Sequence, residues 1–441
     1  MPHSPGHPNA SPPHRAIRWL GHGLFALLDQ GLYAAGQFAV QILLARLLPE
    51  ADYGAFAVGY ALLILVGAVH RSFLTEPMLV FGSGRYHRQL PAYLQQLLRS
   101  HLKLTSSFTL IMLGCAAVAY TNHQTALAEA LAAFSIAQLA ILLPWMLRDA
   151  AYINTQPRAA AIASGLYCVA VVLGLAMLQV TGTLRIASAI AVMAGASAVA
   201  CAYLIPALGI PLKPNRAQPK RFRPALARHR RYGKWAAPNN LIRFLPEHLP
   251  FLILPVLLSY ADNAGYKAMN NLTVPFVLFT ASMSALTLPV LVRKLQDPGF
   301  NRLLTTLTLG VALPPLVCWP LIAGLADGYI PLIYDNKFLD DTHLLWVLGA
   351  VPVVAAVHTL LHAAFKAAEQ PQHVFPCAAA GCLVLLAACW PMTHHFGLTG
   401  MALTVLASHL TQALVALVLI RTLKPPHTPT RATPTAASDL S

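Results

Sequence analysis

Seven polar side chains interrupt otherwise apolar stretches, and their types set the chemistry open to this chain. Arg71 and Glu76 fall in RSFLTEPMLVFG, Asp29 in LFALLDQGLY, and Arg243 and Glu247 in NNLIRFLPEHLP, which opens with Asn239 and Asn240. An arginine presents a planar fork of donors suited to phosphate oxygens. The two asparagines can bond sugar hydroxyls, so Arg71, Arg243, Asn239 and Asn240 are the candidate substrate-binding residues. Asp29, Glu76 and Glu247 are candidate coupling or structural charges, able to take up H+ or Na+ or to pair with an arginine. His358 and His362 have i, i+4 spacing but lack the glutamate of a zinc-hydrolase helix, and no GxxxxGK[ST] loop occurs. Neither a metal site nor an organic cofactor is expected.

These charges matter because of the elements that carry them. The 441 residues are 57% hydrophobic and 10% charged, against about 25% charged in an ordinary soluble domain. Runs of about 20 apolar residues recur along the chain, the signature of membrane helices, with none of the short alternating strands of a barrel. Twelve spans are read, near 22–46, 54–80, 102–121, 126–147, 158–181, 186–208, 235–259, 265–291, 303–326, 343–365, 374–393 and 399–420. The fold class is therefore all-α and polytopic, with no room for a soluble catalytic domain. The first span holds Asp29 and Gln30 and lacks a convincing cleavage site, so a retained helix is expected rather than a signal peptide.

The net charge of +15 does not indicate nucleic acid here, because Lys and Arg collect in the loops of one membrane side. With both termini cytoplasmic, the opposite loops hold only Arg46, Arg185, Lys267 and Lys337, and Arg71 and Arg243 stay in the membrane. The stretch 209–234 carries nine Lys/Arg and no acid, which suits a cytoplasmic linker lying near anionic lipid headgroups. It divides the chain into a tail (1–21), a six-helix bundle (22–208), a second bundle (235–420) and a tail (421–441). A faint repeat agrees: LLARLLPEADYGAFAVGY (43–60) and PVLLSYADNAGYKAMNN (255–271) both place Ala-Asp and then Gly in a short turn. Two related bundles imply a central cavity between them.

An ionised side chain near the bilayer centre costs roughly 2.5–3.5 kcal/mol even on lenient scales. At about 1.5 Å per residue, Asp29, Arg71, Arg243 and Glu76 lie about 6–13 Å from the cytoplasmic end and Glu247 about 18 Å, so three helices bring charge to a similar level in the inner half, where a cavity would excuse it. The structural alternative is pairing: Arg243 with Glu247 at i, i+4, and Arg71 with Asp29 across a helix contact. Glu76 is expected near the inner surface, with Pro77 helping to end the helix. The seventh span contains Pro238, Pro246, Pro250 and Pro255, so it should bend or break and line the cavity.

LLARLLPEADYGAFAVGYALLILV resembles the first hairpin of polysaccharide flippases in the multidrug/oligosaccharidyl-lipid/polysaccharide (MOP) exporter superfamily. RSFLTEPMLVFG is similar to the end of their second helix, PLIYDNKFLDDTHLLWVLGA to the entry of the tenth, and FGLTGMALTVLASHLTQALVAL to the last. The resemblance spans the chain. It implies a flippase of the bacterial inner membrane that moves an undecaprenyl-pyrophosphate-linked oligosaccharide outward by alternating access, with Arg71 and Arg243 facing the pyrophosphate. Membrane potential, H+ or Na+ would drive it, and a polysaccharide polymerase and other assembly proteins would be its partners. A multidrug or cation exporter of the same superfamily is the alternative, and a membrane glycan polymerase or ligase a more distant one.

Overall fold

The computed structural model describes residues 12–211 and 223–421, and among them every regular element is helical. The first helices are α1 (Pro12–Leu47), α2 (Glu50–His70), a five-residue π turn (Arg71–Thr75) and α3 (Glu76–Ser83). Then come α4 (Leu90–Thr121), α5 (Thr125–Ile153), α6 (Pro157–Val180), α7 (Ile186–Ala207), α8 (Arg223–Leu257) and α9 (Tyr260–Lys294). The remainder are α10 (Phe300–Gly324), the short α11 (Ala326–Tyr334) and α12 (Leu345–Leu348), α13 (Ala350–Ala367) and α14 (Val374–Ile420). Ten helical stretches among the described residues are long and apolar enough to cross a membrane. α1, with 36 residues, is also long enough, and non-helical Gly397 (φ 57°, ψ −138°) divides α14 in two. Ten to twelve membrane-length helices are thus present among the described residues, as bilayer physics requires of a chain whose backbone groups must bond within each segment.

Two boundaries differ from expectation. α1 starts at Pro12 rather than near residue 22, and α8 starts at Arg223, so part of the basic 209–234 stretch is helix. Residues 212–222 of that stretch, the tail 422–441 and residues 1–11 lie outside the described residues.

Packing density separates two compact units. The first comprises the chain through Leu272 with Gly324–Leu345 and Cys389–Met401. All seven candidate site residues belong to it. Its centre holds Tyr53, Phe56 and Phe134 with no exposed surface, the Phe56 and Phe134 rings 5.5 Å apart. The second unit comprises Thr273–Ala323, Trp346–Ala388 and the chain from Ala402. Its core is built on Leu291, Leu361, Phe365, Cys377 and Ala416, and His358 Nε2 lies 3.1 Å from His409 Nδ1 within it.

In the first unit the two Ala-Asp-containing turns meet. The Asn263 amide, fully buried on α9, donates to Gly54 O (3.0 Å) and to Phe251 O (3.3 Å). Phe251 O is the carbonyl that Pro255 leaves without its helical donor four residues on. α8 keeps its helical course past Pro238, Pro246, Pro250 and Pro255; it does not break. A neighbouring side chain supplies what one of those prolines cannot.

Candidate functional site

The same device operates around Arg71. Pro77 lacks the N–H that would bond Phe73 O, and His229 of α8 fills the gap, its Nδ1 2.9 Å from that carbonyl. Since Nδ1 is then the protonated nitrogen, Nε2 accepts from the Tyr93 hydroxyl. Just before Pro77 the helix widens: the Glu76 N–H bonds Arg71 O, five residues back. Such π turns often accompany functional sites. α8 reaches the turn closely at Gly233, where a Cβ would collide with the Phe73 ring. Pro77 therefore does not close the helix, which runs on as α3 to Ser83.

The turn presents a charged cluster. Arg71 Nε lies 3.4 Å from Glu76 Oε1, and Asn240 Nδ2 donates to that same oxygen (3.1 Å) and to Ser72 Oγ (2.9 Å). The Arg71 side chain is 57% exposed and that of Glu76 25%. Glu76 is thus a partner of Arg71 and Asn240. Asp149 of α5 lies within electrostatic range of Arg71. Behind the turn, His70 Nε2 lies 2.9 Å from His101 Nδ1 and His101 Nε2 lies 2.9 Å from Leu139 O. Leu139 O can only accept, so His101 donates through Nε2 and receives the His70 N–H at Nδ1.

On α8, Asn239, Arg243 and Glu247 are exposed. Asn240, Arg243, Glu247 and Phe251 fall at i, i+3, i+7 and i+11, one face of the helix. The expected Arg243–Glu247 ion pair does not form within 4.0 Å; Glu247 Oε2 instead lies 3.9 Å from His248 Nε2.

Asp29 is placed differently from expectation. Its fully buried carboxylate accepts from Arg148 Nε (2.8 Å), Tyr152 OH (2.7 Å) and Ser164 Oγ (2.5 Å). The Arg148 guanidinium carbon sits 4.0 Å from the Tyr33 ring centroid. Asp29 thus pairs with Arg148 of α5 and not with Arg71. With three donors already on it, this carboxylate has little capacity left for a transported cation.

Lys267 also moves. Its Ala-Asp-Asn-Ala-Gly context reads as a turn, yet it lies within α9, buried to 5% exposure. Its Nζ is 4.5 Å from the Phe251 ring centroid and 5.5 Å from that of Tyr60. Helical spacing from Asn263 and Asn271, both buried on the same helix, was the available signal.

Beyond the spans, Asp341 packs over Gly265. Burial pushes its carboxyl up to about 6; His343 opposes this, while Asp262, Glu50 and Asp340 reinforce it. The ionised form is the disfavoured one, so the fold should gain stability as pH falls from 7 through about 6 toward the free value of about 3.9. The group is only partly buried, so screening reduces the gain to roughly 1–2 kcal/mol. Asp341→Asn should raise the melting temperature at pH 7 and abolish that part of the pH dependence. Identical pH profiles for the two proteins would remove Asp341 as the titrating group.

No family model and no curated protein matches the sequence. Solved structures do match the fold. An inward-facing multidrug resistance MATE family transporter of the MOP superfamily superposes with a TM-score of 0.73 at 13% identity, over 90% of this chain and 97% of that one. Lipid II flippase MurJ in an inward closed conformation gives 0.68 at 13%, over 90% and 87%. A MOP superfamily transporter from Pyrococcus furiosus Vc1 (DSM3638) gives 0.59 at 13%, over 90% and 93%. The chain is a multi-pass membrane protein with the fold of MOP-superfamily transporters and flippases.

Proposed function

We propose that the protein is a flippase carrying an undecaprenyl-pyrophosphate-linked oligosaccharide from the cytoplasmic to the periplasmic leaflet of a bacterial inner membrane, for exopolysaccharide or O-antigen assembly. The observation that carries this reading is the exposed polar face built by Arg71 at the π turn and by Asn239, Asn240 and Arg243 on α8. Exposed guanidinium groups at membrane depth do not face acyl chains; they line water, and their forks fit phosphate oxygens. The asparagine amides take the place of water on sugar hydroxyls, whose transfer unbonded into hydrocarbon costs up to several kcal/mol each.

In this reading the two six-helix halves, 22–208 and 235–420, rock about a central cavity, with both termini cytoplasmic and a polymerase receiving the product. Membrane potential favours outward movement of an anion by about 2.3 kcal/mol per charge per 100 mV. Glu247, exposed and with no arginine within 4.0 Å among the described residues, is the better candidate for H+ or Na+ coupling than Asp29, which already accepts three hydrogen bonds.

The test is export. In a strain lacking the gene, the Arg71→Ala/Arg243→Ala double variant should lower surface polysaccharide at least tenfold at equal protein level, with lipid-linked units retained on the inner leaflet. Full export from the double variant would exclude these arginines. One set of observations favours a second reading, cation export: Glu76 and Glu247 lie on the elements that flank or carry the two arginines, and Asp149 of α5 is within electrostatic range of Arg71. Sensitivity of the deletion strain to cationic dyes with normal polysaccharide would select it.

A further inference from the structure

Lys267 is the least explained charge in the first unit. It is almost fully buried, and no carboxylate lies within the 4.0 Å of an ion pair among the described residues. Burying an ammonium is costly, and the faces of Phe251 and Tyr60 return only part of that cost. Beside it, the buried Nδ1 of His248 has no hydrogen-bond partner. His248 is close enough to Lys267 to feel its charge and is stacked on Phe244 at 5.0 Å. Two polar nitrogens thus stand together in an aromatic frame, and one is a cation without a counter-ion.

The position is as informative as the charge. Tyr60, which borders Lys267, and Arg71 lie on one continuous helical run, so at about 1.5 Å per residue they are roughly 16 Å apart along the membrane normal. α8 bridges that distance: Asn240 touches the π turn through Ser72, and Phe251 touches Lys267. Between them the same face presents Arg243 and Glu247. A line of polar groups therefore begins at Arg71 and ends at Lys267.

We propose that Lys267, framed by Tyr60, Phe251 and His248, is a second anion station, which receives the phosphate-bearing end of the substrate after it leaves Arg71 and Arg243. The inference rests on the flippase reading and adds to it an ordered path. The aromatic rings close over the ammonium when the station is empty, and they part as the anion arrives. The anion supplies the missing counter-charge, so affinity at this station follows charge rather than acyl chain.

Binding of farnesyl pyrophosphate to the full-length protein in detergent tests this, with farnesol as the uncharged control. Lys267→Met keeps the side-chain volume and removes the charge; it should weaken farnesyl pyrophosphate binding at least tenfold and leave farnesol unaffected. Lys267→Arg should stay within about threefold of wild type. If Lys267→Met is unstable, Lys267→Gln carries the same comparison. Unchanged binding by the neutral variants, with loss in Arg71→Ala/Arg243→Ala, would overturn the station and leave the flippase reading standing. No preference for the pyrophosphate over farnesol in the wild-type protein would overturn both. Loss in Lys267→Arg equal to that in Lys267→Met, with a shifted pH profile of export, would make the residue a proton carrier and overturn the anion assignment.

Discussion

Replacing Arg148 with methionine should destabilise the first unit by about 3–5 kcal/mol, the cost of leaving a buried carboxylate without its ionic partner. The Asp29 carboxylate has no exposed surface. It would keep the hydroxyls of Tyr152 and Ser164 but lose the one positive charge bonded to it. Asp29→Asn should be nearly as harmful, because it strands the guanidinium instead. Removing both charges together, as Asp29→Asn/Arg148→Met, should recover most of the loss, since a buried pair often contributes little net stability over neutral groups of similar volume. Thermal unfolding of the four proteins in one detergent closes the cycle. A single-variant loss below 1 kcal/mol would show that water reaches the pair. The doubly neutral protein should also export at the wild-type level; failure at normal stability would return Asp29 to the coupling machinery.

This pair shows why parts of the site were not legible in the sequence. Asp29 stands out in an apolar run, but its partner is 119 residues away, and one sequence carries no signal that joins them. Arg148 follows the fourth apolar span and so reads as a cytoplasmic anchor. Lys267 reads as a loop cation because Asp262, Asn263 and Gly265 precede it, although helix α9 already includes them. The twelve spans are legible for the opposite reason: hydropathy is a local property, and the bilayer forces each apolar run to satisfy its own backbone. Pro77 marks a disturbance that is visible in sequence, yet the wide turn before it and the His229 bond to Phe73 O depend on α8 being in place. Arg71, Glu76 and Asn240 do come together, because the spacing puts the first two on one turn and α8 brings the third.

The second large effect is expected at Gly54. The Ala-Asp-containing turns read as a faint repeat prove to be in contact, for a Cβ on Gly54 would strike the Tyr260 carbonyl. Gly54→Ala must therefore push the start of α2 away from the start of α9. Overpacking of this kind costs about 1–3 kcal/mol. The same shift stretches the bond from the Asn263 amide to Gly54 O, 3.0 Å in the native packing, and an amide left buried without its acceptor costs about 1–3 kcal/mol more. A total near 3 kcal/mol is expected, read as a lowered melting temperature. Gly114→Ala is the control, because a Cβ there meets nothing within 4 Å and alanine favours the helix by roughly 0.5–1 kcal/mol. The two substitutions should move stability in opposite directions. If Gly54→Ala stays within about 0.5 kcal/mol of wild type, the close approach is not what holds these turns together. The Asn263 bond to Gly54 O would then have to account for their contact.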